Sequence, residues 1–127
     1  MPPLRASVPR IAIVDDDDVF RESLEGWLTS LGFTVRPFAS AEAYLGSDAR
    51  EATDCLILDI RMPGMSGPQL QQALREGGHR IPILFITAHG DEAIGARMRE
   101  GGAVDCLLKP FSEEVLLSAI QAALGAG

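Results

Sequence analysis

The feature that most constrains this chain is a set of short, unbroken apolar runs separated by stretches of helical period. The runs cover residues 11–14, 33–35, 55–58, 81–86 and 106–108. Runs so short and continuous read as strands buried on both faces, the habit of a parallel sheet. Between them, Phe20, Leu24, Trp27, Leu28 and Leu31 fall on one helical stripe, with Gly32 as a stop. Ser40 is placed to cap a short helix reaching Leu45. Ser66 and Gln69 have capping-box spacing ahead of Leu70, Ala73 and Leu74, and Gly77-Gly78 closes that segment. Residues 91–100 form a weaker helix, interrupted by Gly95 and ended by Gly101-Gly102. A last helix starts at Ser112, with Val115, Leu116, Ala119, Ile120 and Ala123 as its apolar face. Strict strand–helix alternation of this kind predicts an α/β fold: a parallel sheet, helices on both faces, right-handed crossovers.

The size is that of one domain, which we place at residues 10–124, after a loose leader (1–9) and before a tail or linker start (125–127). The leader has no apolar core of a secretory signal, and no run in the chain approaches the ~20 apolar residues of a membrane span; a cytoplasmic protein without membrane contact is expected. The net charge of −7 argues against nucleic-acid binding by the domain itself. Cys55 and Cys106 lie inside apolar runs and read as small buried hydrophobes, not as a disulfide.

In open parallel sheets, ligands bind at the carboxyl ends of the strands, so the residues just past each run matter most. Asp15-Asp16-Asp17-Asp18 comes after the first, Asp59 after the third, Thr87 after the fourth and Lys109-Pro110 after the fifth. Lys109 is the single lysine in a chain whose other ten basic residues are arginine. Asp15, Asp16 and Asp59 converging at one rim would repel one another and raise their pKa values. A hard divalent cation such as Mg²⁺, which takes a few oxygen ligands and keeps several waters, resolves this; no Cys or His cluster suggests zinc. A carboxylate can attack phosphorus and become an aspartyl phosphate, in a reaction that depends mostly on positioning and on countercharge for the equatorial oxygens. Lys109 offers a compact ammonium, and Thr87 a hydroxyl. Ala88 offers a backbone N–H, and the turn Met62-Pro63-Gly64 after Asp59 exposes further amides. Taken singly, the acidic run is also a good helix cap and Asp59 a good turn residue; the signal lies in the set, each member at its own strand end.

With these pieces in place, the chain resembles the receiver domain of two-component response regulators over nearly its whole length. The matching segments are Ile13-Val14-Asp15-Asp16-Asp17, Leu58-Asp59-Ile60-Arg61-Met62-Pro63-Gly64-Met65-Ser66-Gly67, Ile86-Thr87-Ala88 and Leu108-Lys109-Pro110-Phe111. The spacings agree: Asp59 lies 43 residues after Asp16, Thr87 28 after Asp59, and Lys109 22 after Thr87. Thr87-Ala88-His89-Gly90-Asp91 and Gly102-Ala103-Val104-Asp105 are similar to the branch of nitrogen-fixation and dicarboxylate-transport regulators. The resemblance implies a flavodoxin-like doubly wound (βα)5 three-layer sandwich with strand order 2-1-3-4-5. It implies Asp59 as phosphoacceptor from a sensor histidine kinase. It implies Mg²⁺ held by Asp16 and Asp59, by Asp15 through water and by the Arg61 carbonyl. Thr87 and Lys109, with the backbone of Met62 and Ala88, would bind the phosphoryl group, and the Lys109–Pro110 bond would be cis. His89 and Arg61 occupy positions that tune dephosphorylation. Cys106 stands where family members commonly carry an aromatic switch residue, so the coupling here differs or is weak. The output implied is transcription control through a DNA-binding module beyond Gly127, with a surface that dimerises on phosphorylation or releases a partner.

Two other classes are open to the same fold or chemistry. A phosphatase or dehalogenase with an aspartyl intermediate needs a second acid two residues after the nucleophile, where this chain has Arg61. A flavin carrier needs a Ser/Thr/Gly-rich phosphate loop after the first strand, where this chain has four aspartates.

Overall fold

A computed structural model describes residues 8–88, 92–109 and 111–126. The five strands β1 (Arg10–Val14), β2 (Thr34–Phe38), β3 (Cys55–Asp59), β4 (Ile83–Thr87) and β5 (Asp105–Leu108) form one sheet in the order β2-β1-β3-β4-β5. All pairings are parallel. The helices are α1 (Asp18–Ser30), α2 (Ala41–Leu45), α3 (Gly67–Glu76), α4 (Glu92–Glu100) and α5 (Glu113–Ala126), with a 3-10 turn at Ala49–Glu51.

The inner strands are apolar at every step because each face of the sheet needs its own core. Ile11 and Ile13 of β1, Cys55 and Ile57 of β3, and Leu84 and Ile86 of β4 pack against Leu24 and Leu28 of α1 and Leu116 and Ile120 of α5. The alternate residues Ala12, Val14, Leu56, Leu58, Ile83 and Phe85 pack against Tyr44 of α2 and Leu70 and Leu74 of α3. Side chains alternate across a strand, so an unbroken run feeds both layers. The two cores clamp β1, β3 and β4, whose C-terminal ends carry the acids and Thr87.

The caps predicted at Ser66 and Ser40 form, and Ser112 adds a third. Ser66 and Gln69 make the reciprocal capping box of α3, Ser40 caps α2, and the Ser112 hydroxyl accepts the N–H of Val115 at 3.1 Å. Gly32 takes a φ of 99° just after α1, the left-handed turn that glycine tolerates at a helix end.

Several expectations are corrected. The second run is a strand, but it starts one residue later than residues 33–35 and ends three later, at Phe38; it is the sheet edge, half-exposed instead of buried on both faces. An edge strand accommodates Pro37, which lacks an N–H. The fourth strand starts at Ile83, after Pro82, which can only accept: its carbonyl takes the N–H of Leu56 at 2.9 Å. Val115 is 49% exposed; it lies roughly 90° round the helix from the stripe of Leu116, Ile120 and Ala123. Leu31, at 46% exposed, caps α1 and leaves its apolar face. The α5 helix continues through Ala126, and Leu124 packs on the core, so the segment read as a tail begins as helix.

Gly95 does not interrupt α4. It is buried, and a Cβ there would lie 2.6 Å from Sγ of Cys106. Cys55 is fully buried and its thiol is pushed up to about 12, mainly by burial. Cys106 is only half-buried, and burial likewise pushes its thiol up. Both thiols are free. The contact between α4 and β5 sets a sign. Alanine for glycine inside a helix ordinarily gains about 1 kcal/mol, whereas overpacking costs about 1–3 kcal/mol. Gly95→Ala is therefore expected to lower stability in urea denaturation, and adding Cys106→Ala to restore most of it.

Candidate functional site

The chain leaves the sheet at Asp15, and the four consecutive aspartates divide at once. Asp15 turns inward and is buried, with 1% of its side chain exposed. Its Oδ1 accepts the N–H of Asp17 at 2.9 Å, and its Oδ2 accepts from Nζ of Lys109 at 3.1 Å. Asp17 caps α1 by accepting the N–H of Phe20 at 3.1 Å. Asp18 pairs with Arg21, and the same guanidinium donates to the carbonyl of Asp15 at 2.7 Å. Asp17 and Asp18 thus fasten the start of the helix, which leaves Asp15 and the exposed Asp16 for the rim.

Asp59 is the last residue of β3, paired across from Ile86 of β4. Asp15, Asp16 and Asp59 each offer a carboxylate oxygen, and these oxygens lie within 4.8 Å of one another. Burial, then the charge of Asp15, pushes the Asp59 carboxyl up to about 7; Lys109 works against this and Asp16 adds to it. The rim therefore carries more negative charge than its one lysine balances. A small, oxygen-lined, partly open cluster with surplus negative charge fits a hard divalent cation such as Mg²⁺.

The backbone under Asp59 is fixed by glycine. A Cβ on Gly67 would stand 2.3 Å from the carbonyl oxygen of Asp59. Without one, α3 starts against the strand end, and the N–H of Gly67 donates to the carbonyl of Ile60 at 2.9 Å. Between them, Gly64 adopts a φ of 74°. Glu42 of α2 reaches across to accept the N–H of Met65 at 2.8 Å, and that hydrogen bond holds its carboxyl below the usual range. Arg61 and Met62, whose carbonyl and N–H the resemblance assigns to metal and phosphoryl group, lie in this turn directly after Ile60. The Met62 and Met65 side chains pack on the core beneath α2 and α3.

Thr87 ends β4 and is 3% exposed. Its hydroxyl donates to the carbonyl of Ala88 at 3.2 Å, and its own carbonyl accepts the N–H of Lys109 at 2.8 Å. Neighbouring strands β4 and β5 thus deliver threonine and lysine side by side. Cys106, two residues before the end of β5, faces Gly95 of α4, which leaves no space for a larger group on that side. His89 and the Lys109–Pro110 bond lie outside the described residues.

Residues 11–121 match the response regulator receiver domain family. The chain belongs to that family. Its receiver is 49% identical over 120 residues to the response regulator protein TodT of Pseudomonas putida, covering 94% of this chain and 52% of that protein. It is 40% identical over 113 residues to the transcriptional regulatory protein FixJ of Rhizobium meliloti, covering 89% of this chain and 55% of that protein. The chain thus spans about half the length of the curated relatives it matches. Among solved structures, the receiver superposes on FixJ-N with a TM-score of 0.84 at 37% identity, covering 94% of this chain and 95% of that one. On the response regulator StyR the TM-score is 0.87 at 45% identity, covering 94% and 61%. The flavodoxin-like order and the FixJ-like branch expected from the motifs are therefore found. Among the described residues no helix is long and apolar enough to cross a membrane.

Three residues of the site escaped the sequence reading. Arg21 and Glu42 carried no signal for the site, because the Asp15 carbonyl and the Met65 N–H that they bind are backbone groups whose position only the fold defines. Phe20 was legible as part of an apolar stripe. Its ring in fact also lies under the Lys109 ammonium, with Nζ 4.1 Å from the centroid.

Proposed function

We propose that this receiver takes a phosphoryl group onto Asp59 from the phosphohistidine of a sensor kinase. The observation that carries the reading is the convergence of Asp15, Asp16 and Asp59 within 4.8 Å, with Lys109 hydrogen-bonded to the innermost acid. An Asp59 carboxylate oxygen forms the new bond to phosphorus as the P–N bond to the imidazole breaks, and the imidazole nitrogen keeps the electron pair. Asp16, Asp59 and the Arg61 carbonyl would hold Mg²⁺, with Asp15 acting through water, and the ion when bound supplies positive charge to the phosphoryl oxygens. The Lys109 ammonium exchanges Asp15 for a second phosphoryl oxygen. The Thr87 hydroxyl leaves the Ala88 carbonyl for a third, beside the N–H groups of Ala88 and Met62.

Differential contact is what makes this a switch: phosphorylation favours whichever conformation lets Thr87 and Lys109 reach the phosphoryl group. Cys106 cannot swing as an aromatic ring does, so the shift passes through the packing of α4 on β5. His89 and Arg61 hold the sequence positions that the family resemblance links to the lifetime of the phosphoryl group. Relatives named as transcriptional regulators support a cytoplasmic transcription switch, with a DNA-binding module outside this segment and a phosphorylation-dependent homodimer as its active form. The domain itself acts as a phosphoacceptor, not as an enzyme of turnover.

Intact mass after incubation with acetyl phosphate and Mg²⁺ tests the acceptor. A single phosphoryl adduct is expected on the wild type, none on Asp59→Asn, and none with a chelator present. An adduct of equal yield on Asp59→Asn would overturn the assignment.

A further inference from the structure

We propose that Phe20 is a positioning residue for phosphoryl transfer: its ring holds the Lys109 ammonium over the acid cluster. The inference rests on the reading of Asp59 as phosphoacceptor and of Lys109 as a phosphoryl ligand. Lysine carries four flexible side-chain bonds, and a free ammonium prefers water to a shared carboxylate. Here it is confined from two directions. Asp15 Oδ2 lies 3.1 Å away, and the Phe20 ring faces Nζ at 4.1 Å. A cation so close to an aromatic face is attracted to its negative face, and more strongly where water is scarce. Three-quarters of the lysine side chain is already covered.

The ring itself has little freedom. Phe20 lies in the first turn of α1, and its N–H is tied to the Asp17 side chain at 3.1 Å. Its ring meets Phe111 edge to face, with centroids 6.0 Å apart and planes at 89°, and both rings pack against the α1–α5 core. Asp15 is equally fixed through the N–H of Asp17. The ammonium thus sits on rigid supports beside a cluster whose carboxylate oxygens are within 4.8 Å of one another. It needs only a short movement to leave Asp15 for a phosphoryl oxygen on Asp59. Ordering a long side chain before the reaction removes that cost from the transfer step.

This chain's single lysine makes the idea directly readable. Lysine labelled with ¹³C at the ε carbon gives one methylene signal, which the ring current of Phe20 should shift upfield. In Phe20→Leu the signal is expected to return to its ordinary position. The rate constant for phosphorylation by acetyl phosphate should then fall on the order of threefold to tenfold. Phe20→Tyr should keep both the shifted signal and the wild-type rate. If Phe20→Leu folds poorly, Phe20→pentafluorophenylalanine keeps the shape while inverting the ring's charge distribution, and should lose rate in the same way. An unchanged rate in a folded Phe20→Leu, or a loss of rate in Phe20→Tyr equal to that in Phe20→Leu, would overturn the role of Phe20. A wild-type protein that accepts no phosphoryl group would instead sink the acceptor reading on which it rests.

Discussion

Asp59→Asn is expected to make the metal-free protein more stable at pH 8, by about 2–4 kcal/mol, in the same variant that loses the phosphoryl adduct. The native Asp59 carboxyl is pushed up to about 7 by burial and by Asp15, with Lys109 opposing, whereas in the unfolded chain an aspartate titrates near ~4. Below pH ~4 the group is neutral in both states and contributes nothing. Between about 4 and 7 the unfolded state ionises while the native state resists, so the native state binds the extra proton and stability falls as pH rises. Above about 7 the loss is complete: roughly three pKa units at ~1.4 kcal/mol each sets the upper end of the range, and water at the part-exposed carboxyl screens the charges and brings the loss toward the lower end. Asparagine has no charge to lose. Urea denaturation in chelator should give wild-type and variant curves that nearly coincide at pH 4 and separate steadily up to pH 7–8. Adding Mg²⁺ should narrow the gap, because a ligand that binds the ionised native state stabilises it by mass action. Equal stability of the two proteins at pH 8 without metal would mean that the three carboxylates do not crowd one another.

Lys109→Met should have the opposite sign and a comparable size. The lysine is the charged partner of a carboxylate with 1% of its side chain exposed. Removing one member of such a pair leaves a buried charge uncompensated, at about 2–4 kcal/mol once the lysine's own partial exposure is considered. The loss should show in metal-free denaturation at neutral pH. Lys109 also holds the Asp59 carboxyl down, so in Lys109→Met the fall in stability with pH should extend to higher pH than in the wild type. Phosphorylation by acetyl phosphate should slow on the order of a hundredfold, as when one fixed donor to a developing charge is removed. A stable variant with an unchanged pH profile would show that Asp15 does not depend on Lys109.

The fold was legible because its constraints are local and repeated. Three runs of four or more apolar residues require two cores, and residues such as Ile57 and Leu58 go to opposite faces in the structure. The second run was misplaced because an edge strand has only one neighbour and so tolerates Arg36 and Pro37; apolar content marks burial, not pairing. Of the site, Asp15, Asp16, Asp59, Thr87 and Lys109 were readable from their places after strands. The different fates of the four aspartates were not. Asp17 and Asp18 have the same side chain as Asp15 and Asp16, and only the direction in which the loop turns into α1 assigns two of them to the helix. The Phe20–Lys109 contact joins positions at opposite ends of the chain, and helical period reports only that Phe20 is apolar. Gly95 read as a weak point in a helix because its sequence says nothing of Cys106 across from it.

If phosphorus joins the side chain of residue 59, chemical reduction records it there. Borohydride reduces an acyl phosphate to the alcohol, so an aspartyl phosphate becomes homoserine in place. After phosphorylation with acetyl phosphate and Mg²⁺, reduction and peptide mapping, homoserine is expected at position 59 and at no other aspartate. Homoserine at Asp15 or Asp16, or a modified hydroxyl residue with position 59 untouched, would contradict it.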